Sequence, residues 1–324
     1  WSFKILKAVT IPYSKTWVAI LKGLVDKSTS QIDIIDKDYT RLLSSFVLEF
    51  ISNYNIESID AISSHGHTAF HKPNEGLTFQ IGNLKILAEL INQTCICDFR
   101  TQDVNLGGQG APLVPVGDIL LFNKYDFCIN LGGFCNISFN KSNDITAFDI
   151  CPLNIVFNYY SKQLGHDYDH LGSFASSGQT IMPLLEDLNS LNYYQISGPK
   201  SLGLEWVVEN FHETIKNYDN NINDILRTLV EHAALQISET LNQYGNGQVL
   251  LSGGGTYNDF FIKILTQHSN SKFIIPSKPI IDYKEALIFG FLGVLKLRNE
   301  INCMKSVTGA SKSHSTGKIY EIIK

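Results

Sequence analysis

Residues 128–154 read CINLGGFCNISFNKSNDITAFDICPLN, and the fold class follows from how this stretch divides. Cys128–Leu131 is a short apolar run of the kind a strand needs. Gly132-Gly133 interrupts it, Phe134–Phe139 resumes it, and Ile145–Phe148 makes a third strand that delivers Asp149 at its end. The pattern predicts strand, glycine turn, strand, hairpin, strand. Two glycines at such a turn expose backbone N–H groups and leave room for an anion. A carboxylate at the end of the neighbouring strand can then work beside that anion. The reading is a phosphate loop facing Asp149. Its rival is an ordinary glycine β-turn followed by a surface Asp.

On either side of this stretch, strand and helix patterns alternate, which predicts an α/β protein. Upstream, Phe3–Ile11 reads as an edge strand stopped by Pro12, and Trp17–Val25 as a short helix. A second helix is predicted over Asp38–Ile51, with Asp38 as its N-cap. Asp60–Ser63 is a strand, Asn83–Gln93 a helix and Thr94–Cys97 a strand. Downstream, Asn154–Leu164 and Phe174–Leu188 read as helices. The clearest helix runs from Ile222 to Leu241, where Ile225, Leu226, Leu229, Val230, Ala233, Ala234 and Ile237 fall on one stripe. Gly245 and Gly247 end it. Gln248–Leu251 is a strand leading into Ser252-Gly253-Gly254-Gly255, with a helix expected from Asn258. The last long helix is predicted over Asp282–Arg298, with Glu285 in its first turn.

The chain has 324 residues, 44% hydrophobic and 18% charged, enough to bury two cores. A net charge of −5 offers no basic field for nucleic acid or an anionic membrane. No apolar run reaches the roughly 18–20 residues of a spanning helix, and no signal peptide is visible. The six cysteines are scattered, and Cys95-Ile96-Cys97 is tighter than the usual zinc or redox spacing. Reduced thiols in a cytoplasmic protein are the expectation.

Three glycine clusters are predicted to follow strands: Gly107-Gly108-Gln109-Gly110, Gly132-Gly133 and Gly253–Gly255. None has the spacing of a P-loop or a dinucleotide fingerprint. Together they favour a nucleotide site, because ligands of open α/β sheets gather at the carboxyl ends of strands. His65 and His67, two residues apart, raise a zinc reading, but no third ligand lies near and no metal ligand is assigned. Hydroxyl recognition by the Ser64–Thr68 stretch is the preferred alternative, with a purely structural loop as its rival. Arg100, at a strand end, suits a carboxylate or phosphate. Glu285 is read either as functional or as a helix N-terminal charge.

These residues assemble into a resemblance. Ser64-His65-Gly66-His67-Thr68 with His71 and Pro73 resembles an S-H-G-Q-T-x-x-H-x-P motif. Asp98-Phe99-Arg100, Asp103 and Leu106–Pro115 are similar to a D-F-R-x-x-D-x-x-x-G-G-Q-G-A-P-L-V-P segment. Asn130–Asn136 resembles N-I-G-G-I-A-N, and Gly253–Asn258 resembles G-G-G-x-x-N. Asp282–Ala286 and Ser306–Ala310 match the tail. Over nearly its whole length the chain resembles the anhydro-N-acetylmuramic acid kinases.

The resemblance implies the two-domain actin/hexokinase-like (ribonuclease H-like) fold, with ATP and Mg²⁺ in an interdomain cleft. The expected division is 1–125, joined by the tail 304–324, and 126–303. The implied reaction adds water across the 1,6-anhydro bond and phosphorylates O6, in peptidoglycan recycling in the bacterial cytoplasm. Asp149 matches the catalytic Asp. Thr68, Arg100 and Glu285 match sugar-contacting positions, and His67 stands where the family has Gln. Gly132, Gly133, Gly253, Gly254 and Gly255 match the nucleotide loops. A homodimer is expected.

Two departures stand out. Asp149-Ile150-Cys151-Pro152-Leu153-Asn154 replaces D-T-G-P-G-N, so Cys and Leu stand where the family has glycines, and the turn is expected to change shape. The chain also opens on Trp1, where the family's G-x-M-S-G-T-S-x-D-G-x-D phosphate loop is expected just upstream. The altered turn after Asp149 sets a second reading beside the kinase, a catalytically silent sugar-binding protein. A metal hydrolase using His65 and His67 is a third.

Overall fold

The computed structural model describes residues 1–141, 144–196, 198–218 and 221–322. The chain is α/β, as the sequence predicts, and forms two compact units, 1–121 with 285–324, and 122–284.

The first unit opens with extended chain and two helices, α1 (Lys15–Lys22) and α2 (Thr29–Asn53). Ser28 caps α2: its hydroxyl accepts from the Gln31 N–H and the Gln31 side chain reaches back to the Ser28 N–H. This capping box starts the helix nine residues before the expected Asp38. Asp38 instead makes an exposed ion pair with Arg41. The predicted edge strand over Phe3–Ile11 is absent; the run stays outside every ladder, with Leu6 73% exposed. An apolar run becomes a strand only where a neighbour offers it a ladder. Next come β1 (Ile62–Ser63), β2 (His67–Lys72), β3 (Leu77–Ile81), α3 (Ile86–Ile91), β4 (Cys95–Cys97), α4 (Thr101–Asn105) and α5 (Val114–Leu121). β2 and β3 form an antiparallel hairpin, and β1 pairs parallel with β4.

The second unit is built on the quoted stretch. β5 (Phe127–Leu131), β6 (Phe134–Lys141) and β7 (Asp144–Pro152) form an antiparallel meander. Asp149 is therefore not at the strand end. A bulge at Ile150 lets Cys151 pair with Cys135, which carries β7 on to Pro152. The helices α6 (Asn154–Gln163), α7 (Ser173–Ser177), α8 (Met182–Asn189), α9 (Asn192–Gln195), α10 (Leu204–Trp206), α11 (Glu213–Lys216) and α12 (Ile222–Tyr244) follow. A π-helical segment, Val207–His212, joins α10 to α11. The single helix expected over Phe174–Leu188 is two, broken at Gly178, where a Cβ would collide with the Asn223 backbone.

β8 (Gln248–Ser252), α13 (Asp259–His268) and β9 (Lys272–Ile274) complete this unit. The five-stranded sheet has the order β7-β6-β5-β8-β9, with β5, β8 and β9 parallel. Its core joins Phe127, Ile129 and Leu131 of β5 and Ile137 and Phe139 of β6 to the stripe of α12, including Leu226, Leu229, Ala233 and Ile237.

α14 (Lys278–Leu297) starts a turn earlier than predicted, so Glu285 lies in its interior and not in its first turn. α15 (Lys305–Thr308) and β10 (Lys318–Tyr320) close the chain. β10 runs antiparallel to β4, giving the first unit a sheet of order β1-β4-β10.

Candidate active site

In the second unit, the strand registers line up four polar residues. Asp149 pairs with Asn136, Asn136 with Asn130, and Asn130 with Ser252. Directly paired residues share a face, so this row crosses β7, β6, β5 and β8 on one side of the sheet. The opposite face carries Ile129, Leu131, Ile137 and Leu251 into the core. The alternation that buries the apolar set therefore leaves Asn130, Asn136 and Asp149 half-buried, while Ser252 stays buried with its hydroxyl on the Ile129 carbonyl.

Both glycine turns sit just past this row, at the carboxyl ends of the parallel strands β5 and β8. Gly253 has φ +83°, and a Cβ there would come within 2.5 Å of Asn130 Oδ1 and 2.9 Å of the Leu131 carbonyl. A Cβ on Gly255 would lie 2.9 Å from Leu131 Cβ. Gly253 and Gly255 thus draw the second turn onto the end of β5. A Cβ on Gly254 would meet nothing within 4 Å, and one on Gly133 would meet only Ile155 Cβ, at 4.0 Å. A 3₁₀ turn, Gly254–Tyr257, lies between the glycines and α13, whose N-cap is Asn258 accepting from the Phe261 N–H.

The carbonyls of Gly132 and Gly133 are committed. Gly133 O accepts from Leu153 N–H at 2.9 Å and Ile155 N–H at 3.1 Å, and Gly132 O from Asn154 N–H at 3.2 Å. The Asn154 side chain donates to Leu131 O at 2.9 Å and Gly132 O at 2.7 Å. Asn154 therefore locks the first turn to the start of α6, a role that only its position in the family motif hinted at. Cys151 and Leu153, which replace the family's glycines, are fully buried in the core. The chain runs straight from β7 into α6 around them.

The Asp149 carboxylate accepts from the Leu202 N–H at 2.9 Å. Its backbone is held on both sides: its N–H donates to Lys200 O at 3.0 Å and its carbonyl accepts from the Tyr193 hydroxyl at 2.6 Å. Burial pushes the carboxyl above the usual range, and the Leu202 bond opposes this only in part. A carboxyl raised in this way suits a general base working near neutral pH.

In the first unit, Arg100 follows β4, and each of its three nitrogens has a partner while one N–H on each of Nη1 and Nη2 is left over. Nη1 donates to Gly110 O at 2.7 Å, while Nη2 and Nε lie 2.8 and 3.3 Å from His65 Nε2. His65 Nδ1 lies 3.1 Å from the Gly66 carbonyl, which can only accept. The proton therefore sits on Nδ1, and Nε2 presents its lone pair to Arg100. Desolvation, then the Arg100 charge, push the His65 pKa down to about 4, so the ring is neutral. Glu285 is exposed, and its charge acts on the Arg100 guanidinium. His67 and Thr68 start β2; Thr68 is exposed, and His67 packs 6.1 Å from the Tyr39 ring. Residue patterns alone offered His65 only as a metal ligand or a polar contact. It is the acceptor that aims Arg100, and β2 begins after it, so His65 and His67 do not share a strand face.

The third glycine cluster follows α4 and not a strand. It wraps the Asp103 carboxylate: Gly110 N–H donates to Oδ2 at 2.7 Å, and a Cβ on Gly108 would collide with the same oxygen. The glycines there close a loop over a buried acid.

The family model described as Anhydro-N-acetylmuramic acid kinase matches residues 7–322. The chain is 31% identical to the Anhydro-N-acetylmuramic acid kinase of Nitrosomonas europaea, over 98% of this chain and 93% of that one. It is 33% identical to the protein of the same name from Pseudomonas syringae pv. syringae, over 98% and 92%. The Vibrio cholerae counterpart is 33% identical, over 88% and 82%. Among solved structures, an activator of 2-hydroxyisocaproyl-CoA dehydratase from Clostridium difficile with bound ADPNP aligns over 52% of this chain and 59% of its own. The identity is 17% and the TM-score 0.34.

Proposed function

The chain belongs to the anhydro-N-acetylmuramic acid kinase family, and on that premise we propose that it phosphorylates 1,6-anhydro-N-acetylmuramic acid with ATP while water opens the anhydro bond. The observation that carries this reading is the row Asp149–Asn136–Asn130–Ser252 beside two glycine turns at parallel strand ends.

Asp149 is the general base. It takes a proton from the water that attacks the anomeric carbon, as an inverting glycosidase base does. The freed O6 then attacks the γ-phosphate in line, and the protein contributes positioning and charge neutralisation. The backbone N–H groups of Gly132, Gly133 and Gly253–Gly255 hold the nucleotide. Mg²⁺ takes oxygen ligands, and the amide oxygens of Asn130 and Asn136 in the polar row are of that type. When bound, it would neutralise phosphate charge. Arg100, aimed by His65, grips the sugar with Thr68, His67 and Glu285, and the two compact units correspond to the two kinase domains. The product, N-acetylmuramic acid 6-phosphate, returns cell-wall sugar to metabolism in the cytoplasm, and the working form is a homodimer.

The departures at Cys151 and Leu153 motivated a silent binding protein. Both side chains turn into the core and the bonds of the Gly132–Gly133 turn are made, so among the described residues neither departure favours that reading. The test is incubation with 1,6-anhydro-N-acetylmuramic acid and ATP–Mg²⁺. Release of ADP with formation of the 6-phosphate supports the kinase; sugar binding without ADP release overturns it.

A further inference from the structure

In the first unit, 200 residues of sequence close on one buried point. Asp103 of α4, Cys303 and His314 each offer a ligating atom, and these atoms all lie within 4.8 Å of one another. Cys303 Sγ is 3.0 Å and His314 Nε2 3.7 Å from Asp103 Oδ1. Asp103, Cys303 and His314 are 0%, 1% and 6% exposed.

Cys303 and His314 are opposed across an antiparallel bridge, with backbone bonds of 3.1 and 3.0 Å in both directions. Opposed residues share a face, so the pair is fixed before any ligand arrives. The His314 ring is set as well. Nδ1 lies 3.1 Å from the Lys312 carbonyl, which can only accept, so the neutral ring carries its proton on Nδ1. Nε2, buried and without a hydrogen-bond partner, then aims a lone pair at the cluster. This is the arrangement of a metal-binding histidine, with one nitrogen held by a carbonyl and the other free to ligate. Asp103 adds a second reason. Its oxygens accept from three neutral donors, the Gly110 N–H, the Thr308 hydroxyl and the Cys303 thiol. Among the described residues its one ion-pair candidate within 4 Å is His314.

We propose that Asp103, Cys303 and His314 form a binding site for a divalent cation of the zinc type, pinning the C-terminal segment to the glycine loop that supports Arg100. A thiolate, an imidazole and a carboxylate make a donor set that suits zinc. Thr308 Oγ1, 2.8 Å from Asp103 Oδ1, or a water takes the fourth position. Binding exchanges the Cys303 thiol proton for the metal: the S–H bond breaks, the S–metal bond forms, and the proton leaves to solvent.

The test uses tag-free full chain, loaded with Zn²⁺ and exchanged into metal-free buffer. About one retained equivalent by mass spectrometry of the metal is expected. Cys303→Ser and His314→Ala should each weaken zinc at least about 100-fold in competition with a chromophoric chelator. Co²⁺ loading should give a thiolate-to-cobalt charge-transfer band in the wild type that disappears in Cys303→Ser. Folded wild type without retained zinc or that band overturns the site and leaves a metal-free His314–Asp103 pair. A band that persists in Cys303→Ser also overturns it, because the metal then sits on other thiols such as Cys95 and Cys97. If a variant fails to fold, zinc retention and the cobalt spectrum of the wild type decide alone.

Discussion

At Asp149, environment and chemistry pull in one direction. A half-buried carboxylate with one backbone donor holds its proton more tightly than an exposed one. Turnover should therefore fall off on the acid side at a higher pH than for an ordinary aspartate, read as the acid limb of kcat against pH. Asp149→Asn should cut kcat by at least about 100-fold with ATP affinity nearly unchanged, measured by turnover and nucleotide titration. The same shift has a stability sign. A folded-state pKa raised above the unfolded one favours the fold below the unfolded pKa, and this contribution is lost as pH rises through the folded pKa. Above the folded pKa the fold carries a charged, partly desolvated carboxylate. On the alkaline side of that transition the Asn variant should melt higher than wild type, and the gap should close as pH falls through it. A variant that melts lower than wild type on the alkaline side, or that still turns over, sinks the assignment.

At the scale of elements, the two glycines of the second turn make opposite predictions. Gly253→Ala brings a Cβ within 2.5 Å of Asn130 Oδ1 at positive φ, and should destabilise the unit by about 1–3 kcal/mol in denaturant melts. Gly254→Ala meets nothing within 4 Å and should leave stability within about 0.5 kcal/mol, so any loss of ATP affinity there reports on ligand contact. This is also where sequence reading reached its limit. The three central strands, the α12 stripe and the Gly245 stop were legible because their periodicity is local. The start of α2 was not, because Ser28 and Gln31 form their capping box ahead of the apolar run that marked the helix. Nor was the break at Gly178, which depends on the Asn223 backbone 45 residues away. His65 as the acceptor for Arg100, and Asp103 beside Cys303 and His314, rest on contacts across long sequence separations that no spacing rule encodes.

Across the whole molecule, the two units are unequal in build. The second has one continuous core under a five-stranded sheet. The first has sheets with strands of two to six residues and an extended, exposed N-terminal run, and its buried apolar residues include Ile81, Leu87, Ile96, Ile288 and Leu292. Local stability follows buried apolar contact and protected backbone. Hydrogen exchange should therefore be slowest in β5, β8 and α12 and fastest in residues 1–13, with the first unit opening before the second. Equal protection in the two units would contradict this ordering.

The neutral imidazole behind Arg100 has a last consequence. Histidines usually make recognition of a ligand vary between about pH 5 and 8. His65, with its pKa near 4, gives up that property. The guanidinium keeps the same backing from mildly acidic to alkaline conditions, so with Arg100 in its proposed role the KM for the sugar should stay flat as the medium acidifies while kcat alone declines. The protein would then keep hold of its substrate in an acidifying cell and slow only the chemistry.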